Sequence, residues 1–343
     1  MKNPNILFTA PGVAELVDYP MPDAPVGKEV LVRLVNSTIS SGTERANLVG
    51  DPNINIHAEG SVVFPRQCGY STAGVVEAVG DEVTKVKVGD RVALSWSRYS
   101  YYLIVNEKNV HPIVSDDMSF SAASITTITT FPMAAIRKCH LEIGESALVM
   151  GLGVLGLIAT QLLRAAGAAP VIAVDPIPEK REKALAHGAD YALDPFAPDF
   201  AESVKRLTGG GVKVAIEVTG NGKALDILLD AMAPLGRVAL LGCTRSSDFT
   251  IDYYRKVHGP GVSLIGAHTI ARPKEESSAG LWTTEDDAKA YLYLESLGRT
   301  RIASLVDEIH PVSEAPAVFA RLASEPSFPV VQLDWTNAAD LIK

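Results

Sequence analysis

Gly151, Gly153 and Gly156 stand at GxGxxG spacing between an apolar run, Ala147–Met150, and a helix-compatible stretch, Leu157–Ala166. Strand, glycine turn and helix in that order build an anion site. Gly151 permits the tight turn, Gly153 lets the backbone approach a pyrophosphate, and Gly156 lets the helix pack on the strand. Val154 and Leu155 complete the turn, where free N–H groups and the positive end of the helix dipole gather. A second apolar run, Val171–Val174, ends on Asp175, 19 residues past Gly156. A carboxylate there accepts hydrogen bonds from the adenosine ribose and repels a 2′-phosphate, so the expected cofactor is NAD rather than NADP.

The elements around this motif fall into two kinds. Up to about residue 115 the chain offers short β-branched runs between turn residues, at 29–35, 73–79, 89–94 and 101–105, and reads as mostly β. Residues 119–139 are helix-compatible. From Ala147 onward, strands expected at 147–150, 171–174, 214–217, 238–241 and 262–265 alternate with helical stretches such as 180–187 and 224–232. That alternation predicts βαβ units in a doubly wound parallel sheet. A polar, proline-containing stretch follows Ala271, then a helix near 286–297 and a strand-like end at 329–334.

Composition limits the partners. At ~150 residues per domain, 343 residues suggest two domains. A net charge of −9 without blocks of like charge argues against nucleic acid or an anionic membrane. A small-molecule substrate is expected. Cys68, Cys139 and Cys243 include no CxxC pair, which suggests reduced thiols in the cytoplasm and excludes a four-cysteine zinc lobe. No signal peptide is apparent, and the apolar segment 147–163 is too short and too broken to span a bilayer.

With the landmarks Val75–Gly80, Val88–Val92, Gly188–Asp190 and Gly236–Gly242, the chain resembles the medium-chain dehydrogenase/reductase superfamily along essentially its whole length. The resemblance implies a GroES-like β-rich catalytic domain (1–129 and 272–343), a Rossmann NAD-binding domain (130–271), and a cofactor cleft between them. It places Lys180 beside the adenosine ribose, although an ordinary exposed lysine would look the same. It also places Leu241, Gly242 and Cys243 beside the nicotinamide, with Thr130 packed on its ring, and implies a homodimer paired through the edge strand 262–265.

Zinc-dependent relatives hold a catalytic metal through Cys, His and a Cys or acidic residue. The matching positions here carry Ser41, Tyr70 and Thr126, and neutral hydroxyls are poor Zn²⁺ ligands. No metal is expected, and these positions together with Trp96 would line the substrate pocket. Another group must then move the proton. Thr43 matches the family's proton-relaying Ser/Thr. Tyr70 takes the histidine position, as acid or base, or only as packing. Glu44 matches an acidic residue behind the metal and could reach substrate or pair with Arg45. His57 is either an acid/base group or a solvated loop residue. Arg98, Tyr99 and Tyr101 fit equally a pocket or the outer face of a strand.

The expected function is a zinc-independent, NAD(H)-dependent oxidoreductase acting on a secondary alcohol or ketone, with weak likeness to bacteriochlorophyllide dehydrogenase and the sugar or cyclitol oxidoreductases. The rivals are an NAD(P)H-dependent quinone or enone reductase and a dinucleotide-binding protein without catalysis.

Overall fold

The computed structural model describes residues 2–54, 62–246 and 248–342. The chain divides into two compact units: Met1–Ile128 with Ala288–Gly298 and Ile302–Lys343, and Thr129–Asp287 with Arg299–Arg301.

The first unit is β-rich. The strand Glu29–Thr38 sets the pattern, with Val30, Val32 and Leu34 fully buried and the residues between them partly exposed. It pairs antiparallel with Ser71–Val79, Tyr102–Asn106 and Val331–Asp334. Glu308–Pro311, Arg91–Ser95 and Val110–Pro112 complete a seven-stranded sheet, and Lys2–Ala10, Val13–Pro20 and Arg66–Gln67 form a three-stranded one. Trp335, Tyr99, Phe8 and Phe319 fill the core. Tyr99 and Tyr101 therefore belong to the core, at 1% and 5% exposure, while Arg98 is exposed and donates to Gln67 Oε1 at 3.0 Å.

The second unit holds six parallel strands in the order Tyr191–Leu193, Val171–Val174, Ala147–Met150, Val212–Glu217, Met232–Leu240, Ser263–Gly266. Ala147–Met150 and Val171–Val174 are buried at every residue, the signature of parallel strands covered on both faces. Chain order reverses beside Ala147–Met150, so the turn at Gly151 lies at the topological switch point, where such sheets bind ligands.

Several element bounds differ from the sequence expectation. The helix expected at 224–232 runs from Gly222 to Asp230, because the Asn221 side chain caps it by accepting the N–H groups of Lys223 and Ala224. Met232, expected to end that helix, begins the next strand instead. The edge strand is Ser263–Gly266, one residue later than expected. The polar stretch after Ala271 packs within the second unit. Arg272 donates to the Thr130 carbonyl at 2.6 Å and faces fully buried Asp287, which Arg137 also bonds at 2.8 Å. Among the described residues no helix is long and apolar enough to cross a membrane.

Candidate functional site

In the second unit the glycines act through close approach. Gly151 has φ +99°, outside the range of most side chains, and an added Cβ would lie 2.7 Å from Thr219 Cγ2. At Gly156 a Cβ would sit 1.8 Å from the Gly151 carbonyl oxygen. Gly153, by contrast, faces open space at the N-cap of the helix Val154–Ala165 and offers no side-chain cap. Its free space and the first-turn N–H groups suit an incoming phosphate.

Asp175 is 6% exposed and does structural work as well. Its Oδ2 accepts the Leu152 N–H at 2.9 Å and its Oδ1 the Ile177 N–H at 3.0 Å. Lys180 is half-buried on the helix Pro178–Ala186. Leu241 is buried and Cys243 exposed; Gly242 presses so closely on the Val218–Gly220 turn that a Cβ would lie 2.3 Å from Gly220 N.

A residue overlooked in the sequence holds this region together. Glu217 ends the central strand Val212–Glu217 in register with Met150. Its carboxyl, 1% exposed, accepts the Thr219 N–H and hydroxyl and the Gly220 N–H, while its carbonyl accepts from Leu241 and Gly242. Burial pushes its pKa up despite those bonds. The signal in the sequence was an acidic residue closing a buried apolar strand.

In the first unit the helix Ser41–Val49 carries Ser41, Thr43 and Glu44. Ser41 and Thr43 are half-buried, whereas Glu44 is 1% exposed. Its Oε1 accepts the Gly69 N–H at 3.2 Å. Arg45 is not its partner; that guanidinium donates to the Glu325 carbonyl at 2.8 Å. Burial raises the Glu44 carboxyl to about 7, opposed by the Gly69 N–H and by neighbouring Tyr99, Cys68 and Arg66. Tyr70 is half-buried, its ring 5.8 Å from that of Trp96, and its carbonyl accepts the Trp96 N–H at 3.0 Å. Trp96 is 45% exposed in a left-handed backbone conformation, φ 55°. Thr126 is buried and donates its hydroxyl to the Ala123 carbonyl at 2.7 Å. His57 lies outside the described residues.

The side chains of Ser41, Tyr70 and Thr126 are neutral hydroxyls, a poor donor chemistry for Zn²⁺. The Thr126 hydroxyl already donates to the Ala123 carbonyl in the preceding helix, Phe120–Ser124. Among the described residues no three His, Cys, Asp or Glu side chains come together to hold a metal.

Fold and turns define a class: a GroES-like β domain in one chain with a Rossmann domain. The chain matches the family described as alcohol dehydrogenase GroES-like domain over residues 26–116, and that described as zinc-binding dehydrogenase over 154–281. It is 26% identical over 339 residues to D-guloside 3-dehydrogenase of Escherichia coli (strain K12), covering 93% of this chain and 96% of that one. To L-threonine 3-dehydrogenase of Thermococcus kodakarensis it is 31% identical over 286 residues, covering 72% and 77%. The solved structure of benzyl alcohol dehydrogenase from Acinetobacter calcoaceticus shares the fold, with a TM-score of 0.82 at 20% identity over 97% and 99% of the two chains. The chain belongs to the zinc-type alcohol dehydrogenase-like medium-chain dehydrogenase/reductase superfamily of oxidoreductases.

Proposed function

We propose that the protein is an NAD(H)-dependent oxidoreductase that interconverts a secondary alcohol and a ketone without zinc. The observation that carries the cofactor assignment is Asp175, closing the second Rossmann strand beside the Gly151–Gly156 turn. Gly153 and the first turn of Val154–Ala165 would hold the pyrophosphate, and Asp175 the adenosine ribose. NAD, when bound, supplies the hydride acceptor for oxidation, and its reduced form the donor.

The proton falls to the first unit. Tyr70, at the position where relatives place a metal-binding histidine, gives or takes the proton of the substrate oxygen, and Thr43 passes it on. A positioned acid or base of this kind is worth ~10²–10⁴ in rate. The relatives named for a guloside and for threonine support a polyol, sugar or hydroxylated amino acid as substrate. A homodimer through the edge strand Ser263–Gly266 in the cytoplasm belongs to the same reading.

The test is hydride transfer by the purified protein, in the presence of a chelator, over a panel of polyols, sugars, cyclitols, quinones and enones. NAD-linked oxidation of one or more of the alcohols is expected. Activity confined to NADPH and enones or quinones would replace this proposal with a C=C or quinone reductase.

A further inference from the structure

We infer that Glu44 is a positioning residue for Tyr70, acting from behind the Gly69 turn so that its ionisation governs how firmly the Tyr70 phenol keeps its proton. The inference rests on the proposed role of Tyr70 in moving the substrate's proton. Three geometric facts support it. Glu44 is shut away from water, and its Oε1 grips the N–H of Gly69, the residue just before Tyr70. The Gly69 turn packs directly on Tyr99: its φ is +93° and a Cβ there would lie 2.8 Å from both the Tyr99 ring and the Tyr99 backbone nitrogen. On its other side Tyr70 is tied to Trp96 through its carbonyl. Glu44 is therefore bonded directly to the backbone that carries Tyr70.

The second carboxyl oxygen, Oε2, is buried with no hydrogen-bond partner among the described residues. Water or a lysine would normally compensate such an atom. The groups facing Glu44 are the Cys68 thiol, the Tyr99 phenol, the Gly69 N–H and, more weakly, the Arg66 charge. Cys68 and Tyr99 are themselves pushed up by burial and by Glu44, so both stay neutral. Besides burial, the charges of Glu44, Cys68 and Tyr70 all raise the Tyr99 phenol. A carboxyl raised to about 7 changes its charge there in the neutral range. An ionised Glu44 disfavours a second negative charge nearby, so it holds Tyr70 as phenol, the acid form that ketone reduction needs. A neutral Glu44 eases formation of phenolate, the base that alcohol oxidation needs.

The experiment compares the parent with Glu44→Gln, which keeps an oxygen for the Gly69 N–H, and Glu44→Met, which keeps only the bulk. The first readout is ultraviolet titration of Tyr70, isolated by difference from Tyr70→Phe. Tyr70 should ionise at lower pH in both Glu44 variants, and identical titration in all three proteins would overturn the inference. The second readout is the pH profile of kcat/KM for alcohol oxidation. On the alkaline side of neutrality Glu44→Gln should exceed the parent by about tenfold, the rates should converge on the acid side, and KM should change little. A Gln variant that keeps the parent's inflection would also overturn it. If Tyr70 titrates as expected but Tyr70→Phe leaves turnover intact, the coupling stands and the proposed role of Tyr70 fails.

Discussion

Asp175 Oδ2 accepts the backbone N–H of Leu152 at 2.9 Å, in the middle of the glycine turn it was expected only to face. The carboxylate thus braces the phosphate loop while its remaining lone pairs stay available to a ribose. Asp175→Ser should narrow the preference for NADH over NADPH, chiefly by improving NADPH binding. It should also lower stability by about 1–3 kcal/mol, because the Leu152 and Ile177 N–H groups lose their acceptor. Fluorescence titration and chemical denaturation read the two effects separately, and tighter binding of NADPH than NADH by the parent would sink the cofactor assignment.

Two neighbouring glycines should differ in what alanine does to stability. Gly156→Ala drives a methyl group into the Gly151 carbonyl, so both folding stability and NADH binding should fall. Gly153→Ala meets open space in the free protein and should leave stability within about 0.5 kcal/mol. Its methyl would intrude on a pyrophosphate, so NADH affinity should still drop. Unchanged NADH affinity in Gly153→Ala would remove this turn from the cofactor site.

Tyr70→Phe should bind NADH as the parent does while single-turnover hydride transfer drops ~10²–10⁴-fold. A rate within a few-fold of the parent would reduce Tyr70 to packing and move the search to His57 and Thr43.

Elemental analysis of the purified protein should find no stoichiometric zinc, and a chelator should leave turnover intact. One zinc per chain would bring Cys68 back as a ligand, and its thiol would then have to ionise against the burial that now keeps it protonated.

Glu44 also predicts a pH dependence of stability. Its folded-state pKa, about 7, lies above the ordinary 4.5, so between those values the folded protein holds a proton that the unfolded chain has released. Stability from this group is fully present below about 4.5, declines as pH rises, and is lost past about 7. Relative to Glu44→Gln the parent should lose about 3 kcal/mol across that window. Denaturation midpoints on either side of it measure the difference, and a constant offset would contradict a buried, raised carboxyl.

The Rossmann half is readable because its strands Ala147–Met150 and Val171–Val174 are covered on both faces and appear as uninterrupted apolar runs, the first of them beside glycines that only close contacts can explain. The first unit was harder to read. In Trp96–Tyr101 the left-handed turn at Trp96 breaks the alternation, so Arg98 is exposed while Ser97, Tyr99 and Ser100 are buried. The burial of Glu44, a candidate by its position, and the role of Glu217 are illegible for a different reason: glutamate is mostly solvent-facing. What holds these two inside is backbone N–H groups, Gly69 for the one and Thr219 and Gly220 for the other, and local sequence does not reveal such partners.

The exposed indole of Trp96 gives this protein a built-in optical probe. Of the three tryptophans, Trp335 is fully buried and Trp282 lies under the Arg137 guanidinium at 3.5 Å, leaving Trp96 the most open to collisional quenchers. Iodide should therefore silence mainly one emitter, and that emitter stands 5.8 Å from the Tyr70 ring. Any small molecule that settles against Tyr70 should shield Trp96 from iodide, so candidate substrates can be ranked by light alone, before a single turnover is detected.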